Sequence, residues 1–172
     1  MKNKKGVIFW VTGLSGSGKS TIAKLLHKKI SKLYGKTLII HAEDLINTFD
    51  LKSFKKKDRI KRGIFYSKFL TLLSNKNINV IFTVIGMFYK VRISNRNNIK
   101  NYREIYIETN LAKILKKSKK THYVKKSKNI IGIDIKPEFP KKPHVKIHNN
   151  FKNSPNFYAN EILLKLKKLD FS

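Results

Sequence analysis

The 172-residue chain has no cysteine, which excludes disulfide scaffolds, thiolate metal sites and cysteine nucleophiles. It also has no apolar run of the 18 or more residues that a membrane-spanning helix needs. The best stretch, Val80 to Tyr89, is interrupted by Thr83 and Gly86. Nowhere do glycine and serine gather into a linker, and no segment repeats, so residues 1–172 read as one domain. The basic start Met1-Lys2-Asn3-Lys4-Lys5 is not followed by a long apolar stretch with a small-residue cleavage site. The expectation is a soluble cytoplasmic protein.

Acidic residues are scarce. Ten Asp plus Glu stand against 39 Lys plus Arg, a formal charge of +29. Such a surplus attracts polyanions and steers anionic small molecules. Only Arg59, Arg62, Arg92, Arg96 and Arg103 are arginine, and the lysines are spread along the whole chain beside abundant Asn and Ile. A dedicated nucleic-acid surface concentrates arginine and aromatics in one segment. A codon bias towards Lys, Asn and Ile explains the pattern more simply. Hydrophobic residues, at 41%, suffice for a packed interior.

Val7 to Thr12 is a β-prone apolar run ending at glycine, and Ser20 to Leu33 follows with apolar residues at helical spacing. Thr37 to Ala42, Asn79 to Ile85, Glu104 to Glu108 and Val145 to Ile147 read as four more strands. Helices are expected over Asp58 to Leu73, with Ile64, Phe65, Phe69, Leu72 and Leu73 as apolar stripe, and over Glu161 to Leu169. Lys113 to Lys128 is a lysine run, a solvated helical surface or a lid. Strands alternating with helices predict an α/β three-layer sandwich with a mostly parallel sheet.

Between the first strand and first helix lies Gly13-Leu14-Ser15-Gly16-Ser17-Gly18-Lys19-Ser20-Thr21, a complete G-x-x-x-x-G-K-S phosphate loop in its required setting. Its glycines let successive N–H groups turn inward around phosphate oxygens, and the helix adds its positive end. Lys19 can reach the β- and γ-phosphates, and the Ser20 hydroxyl is a magnesium ligand. All nine residues are therefore expected at ATP, with Mg2+ at Ser20. At the end of the second strand, Asp44 is expected to orient or deprotonate an attacking hydroxyl, the alternative being a helix cap; Glu43 is evenly poised.

These motifs resemble the adenylyl-sulfate kinases. Ile8 to Thr21 is similar to that family's opening strand and T-G-L-S-G-S-G-K-S-T loop, and His41-Ala42-Glu43-Asp44 falls where it has L-D-G-D. Asp58-Arg59 matches its D-R, and Gly132-Ile133-Asp134 with Pro140 and Pro143 resembles its G-I-D…P-x-x-P closing signature. The likeness covers roughly residues 6 to 148. The resemblance implies a P-loop kinase that uses ATP and magnesium to phosphorylate the ribose 3′-hydroxyl of an anionic nucleotide, and it implies pairing of two copies. Departures are clear: Ala42 replaces the first aspartate, Asn47 an arginine, and Gly86 a serine sometimes assigned as a phosphoryl carrier, which therefore cannot act. Of R-D-x-K-G-L-Y only Lys120 and Tyr123 remain.

Met87-Phe88, the Asn95 to Ile107 segment and Asn129 to Ile135 resemble a sub-branch found with surface-polysaccharide genes, which includes the cytidine diphosphoramidate kinases of capsule biosynthesis. The expected acceptor is thus adenylyl sulfate or an analogue such as cytidine diphosphoramidate. Arg59, Arg62 and Arg96 are expected to hold its anionic part; Phe54 and Phe88 are candidates to stack on its base, the more usual place of such a phenylalanine being the core. Two alternatives stay open: another small-molecule P-loop kinase, and a catalytically weak descendant that binds nucleic acid through its charge.

Overall fold

The computed structural model describes residues 5–117 and 128–170. Along the chain run β1 (Ile8–Thr12), α1 (Lys19–Tyr34), β2 (Thr37–His41), α2 (Ala42–Thr48), α3 (Lys56–Asn75), β3 (Asn79–Val84), α4 (Tyr89–Asn98), β4 (Tyr102–Glu108), α5 (Leu111–Lys117), β5 (Val145–His148) and α6 (Pro155–Asp170). The strands form one parallel sheet in the order β2-β3-β1-β4-β5.

Alternation along the strands divides the core into two layers. Ile8 and Trp10 of β1 join Val80, Phe82, Val84, Tyr102 and Tyr106 beneath Tyr66 and Leu70 of α3 and Val91 of α4. Phe9 and Val11 join Ile81, Ile105, Ile107 and Ile147 beneath α1 and α6. Helices on both faces explain why β1 and β3 are apolar almost throughout.

The buried side of α3 differs from the expected stripe. It is Arg62, Gly63, Tyr66, Ser67, Leu70 and Ser74, while Phe65 and Leu72 are 38% and 55% exposed. Small residues face inward because α4 packs close: a Cβ at Gly63 would stand 2.5 Å from Val91 Cγ2, and the Ser67 and Ser94 hydroxyls lie 3.3 Å apart. The polar helix α4 carries no strong amphipathic signal. The Glu138 carboxylate accepts the Tyr89 N–H at 2.6 Å, so a distant loop closes its first turn. Helix α6 starts six residues before its expected beginning, at the Ser154-Pro155 pair, where Ser154 Oγ accepts the Phe157 N–H at 3.3 Å.

Asp170, at the end of α6, accepts hydrogen bonds from Arg103 Nε of β4 and the Tyr34 hydroxyl of α1, each at 2.7 Å. It fastens the last helix to the sheet and to the far end of α1.

Candidate active site

The loop leaving β1 rises into the first turn of α1. Gly16 and Gly18 have φ of 77° and 89°, left-handed conformations that other residues adopt only at a cost. No side chain caps α1, and its first turn has no acidic residue. The early N–H groups and the positive helix end are thus left to an anion. Lys19 Nζ donates to Leu14 O at 2.8 Å, folded back over the loop. Ser20 and Thr21 are exposed. Leu14 is 4% exposed and packed in the core, so its part in the loop is played by its backbone. Ser17 is fully buried; its N–H donates to Leu14 O at 3.1 Å.

A residue that sequence reasoning missed holds this loop from below. Asn149, 5% exposed, follows β5, and its Nδ2 donates to Ser17 O at 2.9 Å. A signal was present: Asn149-Asn150 stands at the carboxyl end of a strand, where open α/β sheets place ligand-facing residues. Beside it opens a cleft of about 610 Å³ whose lining includes Leu14, Thr109, Pro137, Phe139 and Asn149. Its volume lies within the range of small-molecule sites.

Asp44 lies in the first turn of α2, where its Oδ2 accepts the His41 N–H at 2.8 Å. The helix-cap alternative is therefore realised, and the carboxylate stands exposed at the carboxyl end of β2. Opposite it across the β2–β3 pairing, His41 Nδ1 and Thr83 Oγ1 are 2.6 Å apart.

Arg59 and Arg62 do come together, around Phe54. Their guanidinium carbons lie 5.1 and 5.9 Å from its ring centroid, and the ring is half exposed. Arg62 is 9% exposed and donates to the Leu51 and Ser53 carbonyls, so it holds the loop before α3 rather than reaching outward. Arg59 donates to Phe54 O and, at 3.0 Å, to Asn129 O of the segment before the closing signature. Burial, and then the charge of Arg62, lower its pKa from the usual guanidinium value. Phe88, at 3% exposure, is a core residue and offers no stacking face.

Arg96 stands apart from these. It pairs with Glu104 Oε2 and donates to Lys142 O, both at 2.6 Å, while Arg92 approaches Glu104 Oε1 at 3.4 Å. Glu104 is opposite Trp10 in the sheet, two residues before the strand end from which the phosphate loop departs. Arg96 therefore lines a separate cleft of about 920 Å³ between α4 and the 136–142 segment, and its geometry does not join it to Arg59. Asp134, in the closing signature, makes a turn by accepting the Ile130 N–H at 2.8 Å. Lys120, His122 and Tyr123 lie outside the described residues. No helix among the described residues is long and apolar enough to cross a membrane.

The family model for adenylylsulphate kinase matches residues 5–148. A cytidine diphosphoramidate kinase from Campylobacter jejuni is 32% identical over 173 residues, covering 98% of this chain and 99% of that protein. An adenylyl-sulfate kinase from Clostridium acetobutylicum is 32% identical over 176 residues, covering 98% of this chain and 86% of its own. Among solved structures, the Mycobacterium tuberculosis APS kinase in complex with AMPPNP and APS superposes with a TM-score of 0.85 at 24% identity, over 95% of this chain and 98% of that one. At that identity the superposition speaks for the fold alone.

Proposed function

Because the chain belongs to the adenylylsulphate kinase family, we propose that it transfers the γ-phosphate of ATP to the ribose 3′-hydroxyl of a nucleotide carrying a small anion. Adenylyl sulfate and cytidine diphosphoramidate are the two acceptors in view, the second supported by the near full-length Campylobacter relative. The observation that carries this reading is the uncapped, acid-free start of α1 under two left-handed glycines, at the end of the strand β1. The whole chain then acts as one cytoplasmic kinase domain, pairing with a second copy, and a surface-polysaccharide pathway is its proposed setting.

Phosphoryl transfer asks a protein mainly to position and to neutralise. N–H groups around Gly16 and Gly18 hold the phosphate chain, and Lys19 swings from Leu14 O onto the β- and γ-phosphates. Among the described residues no three His, Asp or Glu side chains gather as a metal cluster. The exposed Ser20 hydroxyl and the nucleotide's own oxygens would hold Mg2+, which commonly takes few protein ligands and keeps waters. When bound, the ion would supply charge neutralisation for the transferring phosphate chain. Asp44, anchored through Oδ2, orients the acceptor hydroxyl or takes its proton, Phe54 stacks on the base, and Arg59 meets the anion.

The test is ADP release with magnesium-ATP against adenylyl sulfate, cytidine diphosphoramidate and simple nucleotides, with phosphorus spectroscopy on any product. Turnover with one of the first two and a new ester at the 3′-oxygen is expected. No ADP release with any acceptor would overturn the reading.

A further inference from the structure

Asn149 occupies a junction that no part of the phosphate-loop motif anticipates. Its backbone N–H donates to Glu108 O at 2.9 Å, extending the β4–β5 ladder by one rung. Its Oδ1 accepts the Phe151 N–H at 3.0 Å, closing a tight turn in which Phe151 has φ of 64°. With both those groups committed, the amide nitrogen has one direction left, and it points at Ser17 O. The fit leaves no slack: a Cβ at Gly18 would stand 2.9 Å from that nitrogen.

A phosphate loop works only if its N–H groups converge on the ligand, which requires the carbonyls between them to turn away. Ser17 O is such a carbonyl. It is buried, and a buried carbonyl needs a donor. The Ser17 hydroxyl cannot relieve it, since that oxygen is itself buried with no hydrogen-bond partner among the described residues. Asn149 supplies the donor from outside the loop.

We propose that Asn149 is a positioning residue for phosphate binding: its Nδ2 fixes the Ser17 carbonyl outward and so sets the loop's N–H groups toward the phosphate chain. The proposal rests on the reading of the loop as the ATP site. Asn149 also lines the cleft beside the loop. A residue acting only as a wall for the nucleoside would affect base-bearing ligands and leave bare polyphosphate alone. A residue acting through Ser17 does the reverse.

The experiment measures calorimetric affinities of the full chain for inorganic tripolyphosphate and for adenosine, in the wild type, Asn149→Ala and Asn149→Asp. Loss of one buried hydrogen bond to a carbonyl predicts weaker tripolyphosphate binding by roughly 10- to 100-fold, with adenosine affinity changed little. In Asn149→Asp one oxygen can still accept the Phe151 N–H, which keeps the turn, while the other faces Ser17 O as a charge. Tripolyphosphate affinity should fall further near neutral pH and recover, relative to wild type, as the introduced carboxyl protonates and becomes a donor. A merely structural role gives no such recovery. Unchanged tripolyphosphate binding in both folded variants, or loss confined to adenosine, overturns the proposal. A wild type that binds no tripolyphosphate would instead overturn the ATP-site reading beneath it.

Discussion

Gly86 packs against the indole of Trp10. A Cβ built at position 86 would stand 3.0 Å from Trp10 Cζ2 and 3.2 Å from Nε1, and φ at Gly86 is +33°. The bend at the end of β3 thus has room for neither a side chain nor an ordinary residue's backbone. Gly86→Ser, which writes back the residue the family resemblance would place here, should lower stability by about 1–3 kcal/mol through overpacking and strain and should not raise turnover. Thermal denaturation and ADP release test both halves; a stable and faster variant would refute the packing argument.

Lys19→Ala removes the ammonium that folds over the loop. Turnover should fall by on the order of a hundredfold or more, because a positioned charge at the transferring group is lost. Steady-state ADP release measures it, and unchanged turnover would take the loop out of the chemistry.

Asp44 has two separable roles. Asn at this position can still accept the His41 N–H, so Asp44→Asn should keep the melting temperature while kcat falls far more than affinity for ATP. Asp44→Ala should add a loss of about 1 kcal/mol in stability, the usual worth of a helix cap. If Asp44→Ala alone loses stability and kcat stays unchanged in both variants, the carboxylate is a cap and nothing more.

Glu104 is the single carboxylate shared by Arg92 and Arg96, and Arg92 is 5% exposed. Glu104→Gln removes the carboxylate paired with a buried guanidinium and leaves it the weaker influence of Glu138. Denaturant unfolding should show a loss of roughly 3–5 kcal/mol, the range for breaking a buried pair from one side. A loss well below that would mean that solvent reaches Arg92.

His144 links stability to pH. Its Nδ1 accepts the Glu104 N–H at 2.8 Å, which an imidazolium cannot do. Burial first, then the charges of Arg96 and Arg103, lower its pKa, with Asp170 opposing. The unfolded chain therefore takes up the proton before the folded one. Stability is present above the ordinary imidazole value and is lost as pH falls from about 6.5 through the folded value. Melting temperature should drop on that descent, and His144→Asn, whose side-chain oxygen can accept the same N–H, should drop less. Equal slopes would assign the effect to another group.

Much of this was legible in advance because the strongest signals are local. Five strands, the phosphate loop and α1 follow from runs of apolar residues and from glycines at fixed spacing. Helix α4 escaped because its hold on the fold is tertiary, through Val91, Asn95 and the Glu138 carboxylate, none of which sequence periodicity registers. The rotation of α3 escaped because its inward face is built from Gly63, Ser67 and Ser74, which a search for apolar stripes passes over. At the site, Arg59 packs over Phe54, from which only four residues and a helix start separate it. Arg62 turned inward and Arg96 turned to a separate cleft, because the partners that engage them, Leu51 O, Ser53 O and Glu104, become neighbours only once the chain has folded.

Helix α1 begins at the phosphate loop and ends beside Asp170, where Tyr34 and Arg103 meet one carboxylate. Its two ends thus answer to different parts of the chain, one to a ligand and the other to the final helix. Asp170→Asn would weaken that distal clasp, and with it the tie of the last helix to the sheet, while leaving the buried face of α1 in place.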